Sequence, residues 1–250
     1  MIEVKNISKS FDGKKVLDNF SSKFETGKIN LIIGKSGSGK TIAVKCMLGL
    51  FEIDSGGVFF DNRDFVNIPE YEKKDIRKEI GMVFQGSALF DYMTIEDNIM
   101  FPLKMSSNMN LNEMKNRVDF CLNRVDLKNV NHLFPSQLSG GMQKRVAIAR
   151  AISLNPKYLF CDEPNSGLDP STATVIDNLL KEITYEFNIT TVINTHDMNS
   201  AMEIGDNIIF IQDGIKEWEG NSETLLQTDN KHLHDFIFSS RIFKKLKGLN

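Results

Sequence analysis

The chain has 250 residues, a formal net charge of −3, and 41% hydrophobic and 25% charged residues, the make-up of an ordinary globular protein. That length can bury most of its apolar surface without a disulfide or metal staple. The mixed, slightly acidic charge argues against a nucleic-acid backbone as the main partner, and no apolar run approaches the ~20 residues that cross a bilayer.

Met1-Ile2-Glu3-Val4 reads straight into a strand, with none of the basic region, apolar run and cleavage site of a signal peptide. Ile2–Ile7, Val16–Leu17 and Phe20–Phe24 form a short antiparallel unit. From Ile29 onward strand-like and helix-like segments alternate, as in a largely parallel sheet flanked by helices. Ile29–Ile33 is an apolar strand ending in a glycine-rich loop, followed by a helical stretch from Lys40 to Leu50. Gly57–Asp61 and Ile80–Phe84 are further strands. From Gly86 to Leu138 the chain changes character: Leu111, Met114, Val118, Cys121, Leu122 and Val125 recur at helical spacing, and Thr94 and Asp97 stand where a capping pair starts a helix. Then come a helix at Gly140–Ile152, a strand at Tyr158–Cys161, a helix at Pro170–Phe187 and a strand at Thr190–Asn194. Asp213-Gly214 separates Asn207–Gln212 from Ile215–Trp218, a hairpin signal. Cys46, Cys121 and Cys161 are odd in number and far from metal-ligand spacing, so they read as reduced, buried thiols of an intracellular chain.

Gly34-Lys35-Ser36-Gly37-Ser38-Gly39-Lys40-Thr41 matches the Walker A pattern in full, with the strand before and the helix after that the pattern needs. Its glycines let successive backbone N–H groups face one anion, and the helix start adds its positive end. Lys40 supplies a point charge to the β- and γ-phosphates of a nucleotide, and the Thr41 hydroxyl a ligand to Mg²⁺. Tyr158–Cys161 runs into Asp162-Glu163. Alone, that pair fits a strand running out into a charged turn equally well. With a phosphate loop upstream it reads as a metal ligand, Asp162, and a water-polarising carboxylate, Glu163. His196 follows another apolar run; on spacing alone a γ-phosphate contact and a structural role stand level.

Leu138-Ser139-Gly140-Gly141-Met142-Gln143-Lys144-Arg145 closely resembles the signature motif of ABC ATPases. Gln85 falls at that family's Q-loop, Ser166-Gly167-Leu168-Asp169 at its D-loop, His196 at its switch histidine and Phe11 at its adenine-stacking aromatic. The resemblance covers almost the whole chain. It implies a single α/β P-loop NTPase domain with a small antiparallel β subdomain and a helical subdomain. Residues 1–85 and 156–220 would form the RecA-like core with the antiparallel part, 86–155 the helical subdomain with the signature, and 221–250 a helical tail.

The resemblance also implies a homodimer holding two ATP molecules. Each ATP would lie on Phe11, Val16, Gly34 to Thr41 and Ile42 of one copy, with Ser139, Gly140, Gly141, Met142 and Asp169 of the other completing its site. Mg²⁺ would sit on Thr41, Gln85 and Asp162, while Glu163, His196 and Gln85 act on the γ-phosphate. Partners would be integral-membrane permease subunits, and the chain would lie on the cytoplasmic face of the bacterial inner membrane. Met142 replaces the family's usual glutamine, which removes one side-chain donor and leaves Ser139 and the backbone amides. A change in rate is expected, with activity kept.

The run Phe84 to Thr94 and the continuation Met142-Gln143-Lys144-Arg145 look like the ATPase of Mla/MCE-type phospholipid transporters. That group adds an MCE-domain lipid-binding protein and, in some members, a small STAS-domain protein. ATPases serving other substrates, such as amino acids or lipoproteins, fit the same residues. The thirty or so residues after Gly220 are too few for the extra regulatory fold of methionine-type importers. Ala88, Leu89, Phe90, Tyr92 and Met93 serve either as a permease-binding knob or as core. In the tail, Phe236, Ile237, Phe238, Ile242, Phe243 and Leu246 alternate with basic residues. That pattern fits a membrane-surface helix, an arm on the other subunit, or packing on its own domain. The short interval between the phosphate loop and the signature holds no sustained heptads, which speaks against a chromosome-type ATPase, and a single phosphate loop against a two-cassette translation factor. Lys40, Asp162, Glu163 and His196 speak against an inactive scaffold.

Overall fold

The computed structural model describes residues 1–238. In chain order it has β1 (Ile2–Phe11), β2 (Lys14–Phe24), β3 (Ile29–Ile33), α1 (Lys40–Met47), β4 (Ser55–Phe60), β5 (Arg63–Asp64), α2 (Glu70–Lys78), β6 (Ile80–Val83), α3 (Ile95–Ser106), α4 (Leu111–Arg124), α5 (Gly140–Ala151), β7 (Tyr158–Asp162), α6 (Pro170–Glu186), β8 (Thr190–Thr195), α7 (Met198–Ile204), β9 (Asn207–Gln212), β10 (Ile215–Gly220), α8 (Ser222–Leu225) and α9 (Lys231–Ile237). Residues 1–68 with 192–238 form one compact unit and 69–191 the other.

In the first unit β1 pairs antiparallel with β2 and with β4, setting Ile2 opposite Phe24 and Phe60. Ile2, Val4, Ile7, Phe20, Phe24, Val58 and Phe60 are all buried. The antiparallel unit is therefore longer than the apolar runs announced, because its polar ends are strand by pairing alone. A second layer is parallel: β3 lies in register with β9, Leu31 opposite Ile208 and Ile33 opposite Phe210. Every residue of β3 is buried, as a two-faced parallel strand requires. β9 turns into β10 through Asp213 and Gly214, both at positive φ (49° and 79°), the pair of angles a two-residue hairpin of this twist demands. α9 closes this unit. Phe236, Ile237 and Phe238 are buried, and the Phe236 ring lies 5.6 Å from that of Phe210. This part of the tail packs on its own unit; Ile242, Phe243 and Leu246 lie outside the described residues.

In the second unit β6 and β7 pair in parallel, Ile80 opposite Tyr158, and α5 packs against α3, α4 and α6. The helices start at their sequence signals. Thr94 caps α3 by accepting from the Asp97 N–H at 3.1 Å, and Asn110 with Glu113 forms a reciprocal capping box on α4. α4 buries Val118, Cys121 and Leu122, the C-terminal part of the face its periodicity announced; Leu111, in its first turn, is exposed and Met114 only half-buried. α2 went unannounced, because Ile76 is its one buried residue and a helix so charged shows no apolar stripe. The three cysteines are buried thiols; burial pushes Cys46 and Cys121 up to about 11.

Asn98 on α3 is wholly buried. Its carbonyl accepts from the Phe90 N–H at 2.8 Å, and its amide donates to the carbonyls of Phe90, Met93 and Thr94 at 3.1, 3.2 and 3.0 Å. One side chain thus ties together residues 90–94 of the loop before α3. Asn98→Ala leaves those backbone groups short of partners and should cost about 2–3 kcal/mol, read as a lower urea midpoint at unchanged m. A loss below about 0.5 kcal/mol, the level of ordinary surface substitutions, would show that the loop holds itself.

Candidate nucleotide site

The phosphate loop leaves β3 at Gly34 and enters α1 at Lys40, with Gly39 as the N-cap residue. Gly34 sits at φ 153°, and a Cβ there would lie 2.3 Å from the Ile211 carbonyl oxygen and 2.7 Å from Ser38 Oγ. Only glycine lets the loop leave the sheet so close to β9. Lys40 is 6% exposed, and its ammonium donates to the carbonyls of Gly34 and Lys35 at 2.9 and 3.0 Å. The lysine is thereby folded back over its own loop, its charge aimed where the loop's amides converge. Ser38 Oγ is buried with no hydrogen-bond partner. An orphaned hydroxyl inside a ring of amides suits an oxyanion guest.

Val16 and Phe11 belong to the same unit. The Val16 carbonyl passes 2.9 Å from a Cβ placed on Gly39, so the start of β2 lies against the phosphate loop. Phe11, exposed at the end of β1, meets Phe51 edge-on at 5.3 Å. Beneath the loop, Asn194 of β8 donates to Thr41 Oγ1 at 3.4 Å, while its own Oδ1 is buried without a partner. His196 follows two residues later, exposed, where β8 ends. The reading of the residues missed Asn194; its signal was an amide inside the apolar run before His196.

In the second unit β7 carries Cys161 at its buried core and ends on Asp162. Glu163 follows at φ 48°, a left-handed turn that a side chain adopts only at a cost. Gln85 donates to Ser166 Oγ at 3.2 Å, which joins the Q-loop position to the D-loop position. Lys144 of α5, buried, donates to the Gln85 carbonyl. Burial pulls its ammonium below the usual lysine range, against the opposing pull of Cys161 and Asp162. Ser139 caps α5 and accepts from the Met142 N–H at 3.3 Å. Asp169 caps α6, and hydrogen bonds from Ser171 and Thr172 hold its carboxyl well below the usual range. The starts of these two helices bound one open cleft of 590 Å³, with Ser139, Gly140, Gly141, Met142 and Asp169 on its walls.

A family model described as "ABC transporter" matches residues 17–166. The chain belongs to the ABC transporter family. It is an ATP-binding subunit that hydrolyses ATP, bound with Mg²⁺, to power transport. It is 40% identical to the methionine import ATP-binding protein MetN of Clostridium acetobutylicum, over 96% of this chain and 75% of that one. It is 35% identical to the intermembrane phospholipid transport ATP-binding protein MlaF of Haemophilus influenzae, over 95% and 90%. A dimeric ATP-binding cassette, MJ0796, solved in a post-hydrolysis state with ADP and Pi, superposes with a TM-score of 0.81 at 34% identity, over 89% of this chain and 99% of that one. ABC cassettes dimerise and pair with membrane permease subunits. No helix among the described residues is long and apolar enough to cross a membrane.

The residues of this ABC subunit fit a magnesium nucleotide. In the first unit Thr41 offers a hydroxyl, and in the second Gln85 and Asp162 offer an amide carbonyl and a carboxylate, all hard oxygen donors of the kind magnesium takes. Magnesium is commonly held in this sparse way, by one carboxylate and substrate phosphates.

Proposed function

We propose that two copies of this chain close head to tail on two ATP molecules and drive a permease that moves phospholipid between the inner and outer membranes. The observation that supports the head-to-tail site is the cleft shared by the Ser139 and Asp169 helix starts. It offers a capped helix end and backbone donors to an anion, with the Arg145 guanidinium on the same walls. Lys40 and the amides from Gly34 to Gly39 bind the phosphates of one ATP, with Phe11 on the base and Val16 beside it. Ser139, Gly140 and Gly141 of the second copy donate to its γ-phosphate, and Asp169 borders the same site.

Thr41, Asp162 and Gln85 would hold Mg²⁺, which when bound would supply charge neutralisation to the phosphates of the nucleotide. Glu163 accepts a hydrogen bond from the attacking water and draws off its proton, while His196 contacts the γ-phosphate. Cleavage removes the contacts that hold the copies closed, so nucleotide state selects between two arrangements.

The phospholipid reading is supported by the likeness of Phe84–Thr94 and of Met142-Gln143-Lys144-Arg145 to Mla/MCE-type ATPases, and by the similarity to MlaF. Tyr92, 75% exposed, and the Phe90 ring, 5.0 Å from Phe101 and 5.9 Å from Tyr92, present an aromatic face suited to a permease segment. The similarity to MetN supports a second reading, amino-acid import. Purification of the tagged subunit with its complex from native membranes in mild detergent, followed by mass spectrometry, separates the two. The expected result is a permease with an MCE-domain protein and phospholipid, and in some complexes a STAS-domain protein. A permease with a solute-binding protein and no lipid would sink the phospholipid reading and leave the ATPase standing.

A further inference from the structure

Two cations on α5, Lys144 buried and Arg150 half-buried, hold the loop after Gln85, and nothing in the hydrolytic scheme uses them in that way. Lys144 donates to the Gln85 carbonyl. Arg150 donates to the carbonyls of Ala88 and Ser87 at 2.7 and 2.9 Å and lies 6.0 Å from the Phe90 ring. Those two carbonyls belong to an unusual stretch. Ser87 and Ala88 are consecutive non-glycine residues at positive φ, 60° and 50°, a conformation that side chains resist and that persists only where surroundings impose it. The guanidinium fork is the partner that imposes it, since its two arms suit two adjacent carbonyls and a single ammonium does not. Burial also pulls Arg150 below the ordinary arginine value, as expected for a cation kept inside by its acceptors. On the far side the loop is tied to Asn98.

The helix that carries both cations begins at the signature. α5 runs from Gly140 to Ala151, capped by Ser139, and packs against α3, α4 and α6; as one continuous helix it joins the signature directly to both cations. We infer that Lys144 and Arg150 are positioning residues that set the conformation of residues 85–90 according to whether the signature end of α5 has engaged ATP. This rests on the reading that Ser139–Met142 receive the second copy's nucleotide. When that anion docks on the start of α5, any tilt or shift of the helix is delivered to the strained turn through the two cations. The same link works in reverse: a permease segment seated on Phe90 and Tyr92 biases α5 toward its ATP-engaged position.

Hydrogen–deuterium exchange with mass spectrometry tests this in a Glu163→Gln parent with and without MgATP, following residues 138–145 and 87–94 separately. The second window excludes Gln85, so direct contact with the nucleotide's metal does not register. In the parent both windows slow with ATP, the 87–94 window by about fivefold or more. In Arg150→Met the 138–145 window slows as in the parent, while the 87–94 window loses its response. Arg150→Lys, which keeps the charge but not the fork, gives an intermediate response. Lys144→Met weakens the response as well and serves if Arg150→Met fails to fold. A full ATP response of 87–94 in the methionine variants, or none in a parent whose 138–145 window responds, would overturn the inference. Silence of the 138–145 window in the parent would instead defeat the head-to-tail reading on which it rests.

Discussion

Glu163→Gln should slow ATP turnover by about 10²- to 10⁴-fold, the usual contribution of a positioned general base, and should leave a closed ATP-bound dimer that survives size-exclusion chromatography. The side chain follows β7 at the left-handed φ of 48°, so the turn rather than the strand aims it. Glutamine has the same shape and accepts the same backbone, and stability should therefore stay within about 0.5 kcal/mol, as for other undisruptive substitutions. What changes is the ability to take a proton. The water can still be held, but its proton has no acceptor of adequate basicity. If the variant hydrolyses ATP as fast as the parent, another group is the base.

Lys40→Ala should weaken ATP binding by about two to four powers of ten. The ammonium is the sole side-chain cation in the Gly34–Thr41 loop that is buried, and it is already aimed by the Gly34 and Lys35 carbonyls. Two charge-assisted hydrogen bonds to phosphate, at about 1.5–3 kcal/mol each, account for that range. Isothermal titration with ATP and Mg²⁺ reads the change directly. Micromolar affinity retained by the variant would undo the phosphate-loop argument. Thermal unfolding measured beside the titration separates a lost ligand contact from a lost fold.

Much of this site is legible in the residues because its parts are local. A glycine-rich loop between an apolar strand and a helix declares itself within eight positions, the carboxylate pair at a strand end takes its meaning from that loop, and the serine before two glycines is readable through its resemblance to the family signature. Helix starts at Thr94, Asn110 and Ser139 are equally local, since a cap is a bond between a side chain and an amide three residues on. α2 was not legible, because helices carried by charge and a single buried isoleucine leave no periodic trace.

The supporting side chains were hidden for a different reason. Asn98, Lys144, Arg150 and Asn194 are polar residues whose partners lie a turn, a loop or a strand away, and nothing in their neighbours along the chain announces those partners. Their meaning appears only once burial is known, because a polar group removed from water has to find acceptors, and those acceptors show what it holds.

From its residues alone this protein is readable as a phosphate-loop nucleotide-binding chain, since phosphate binding depends on a short, contiguous pattern of backbone freedom and charge, and as ABC-type through the resemblance of Leu138–Arg145 to that family's signature. Only the folded chain decides how the Q-loop turn is shaped, which lysine and arginine hold it, and that the signature and D-loop helix starts share one cleft. Those are outcomes of long-range packing, in which each cation takes the conformation that its distant carbonyls allow.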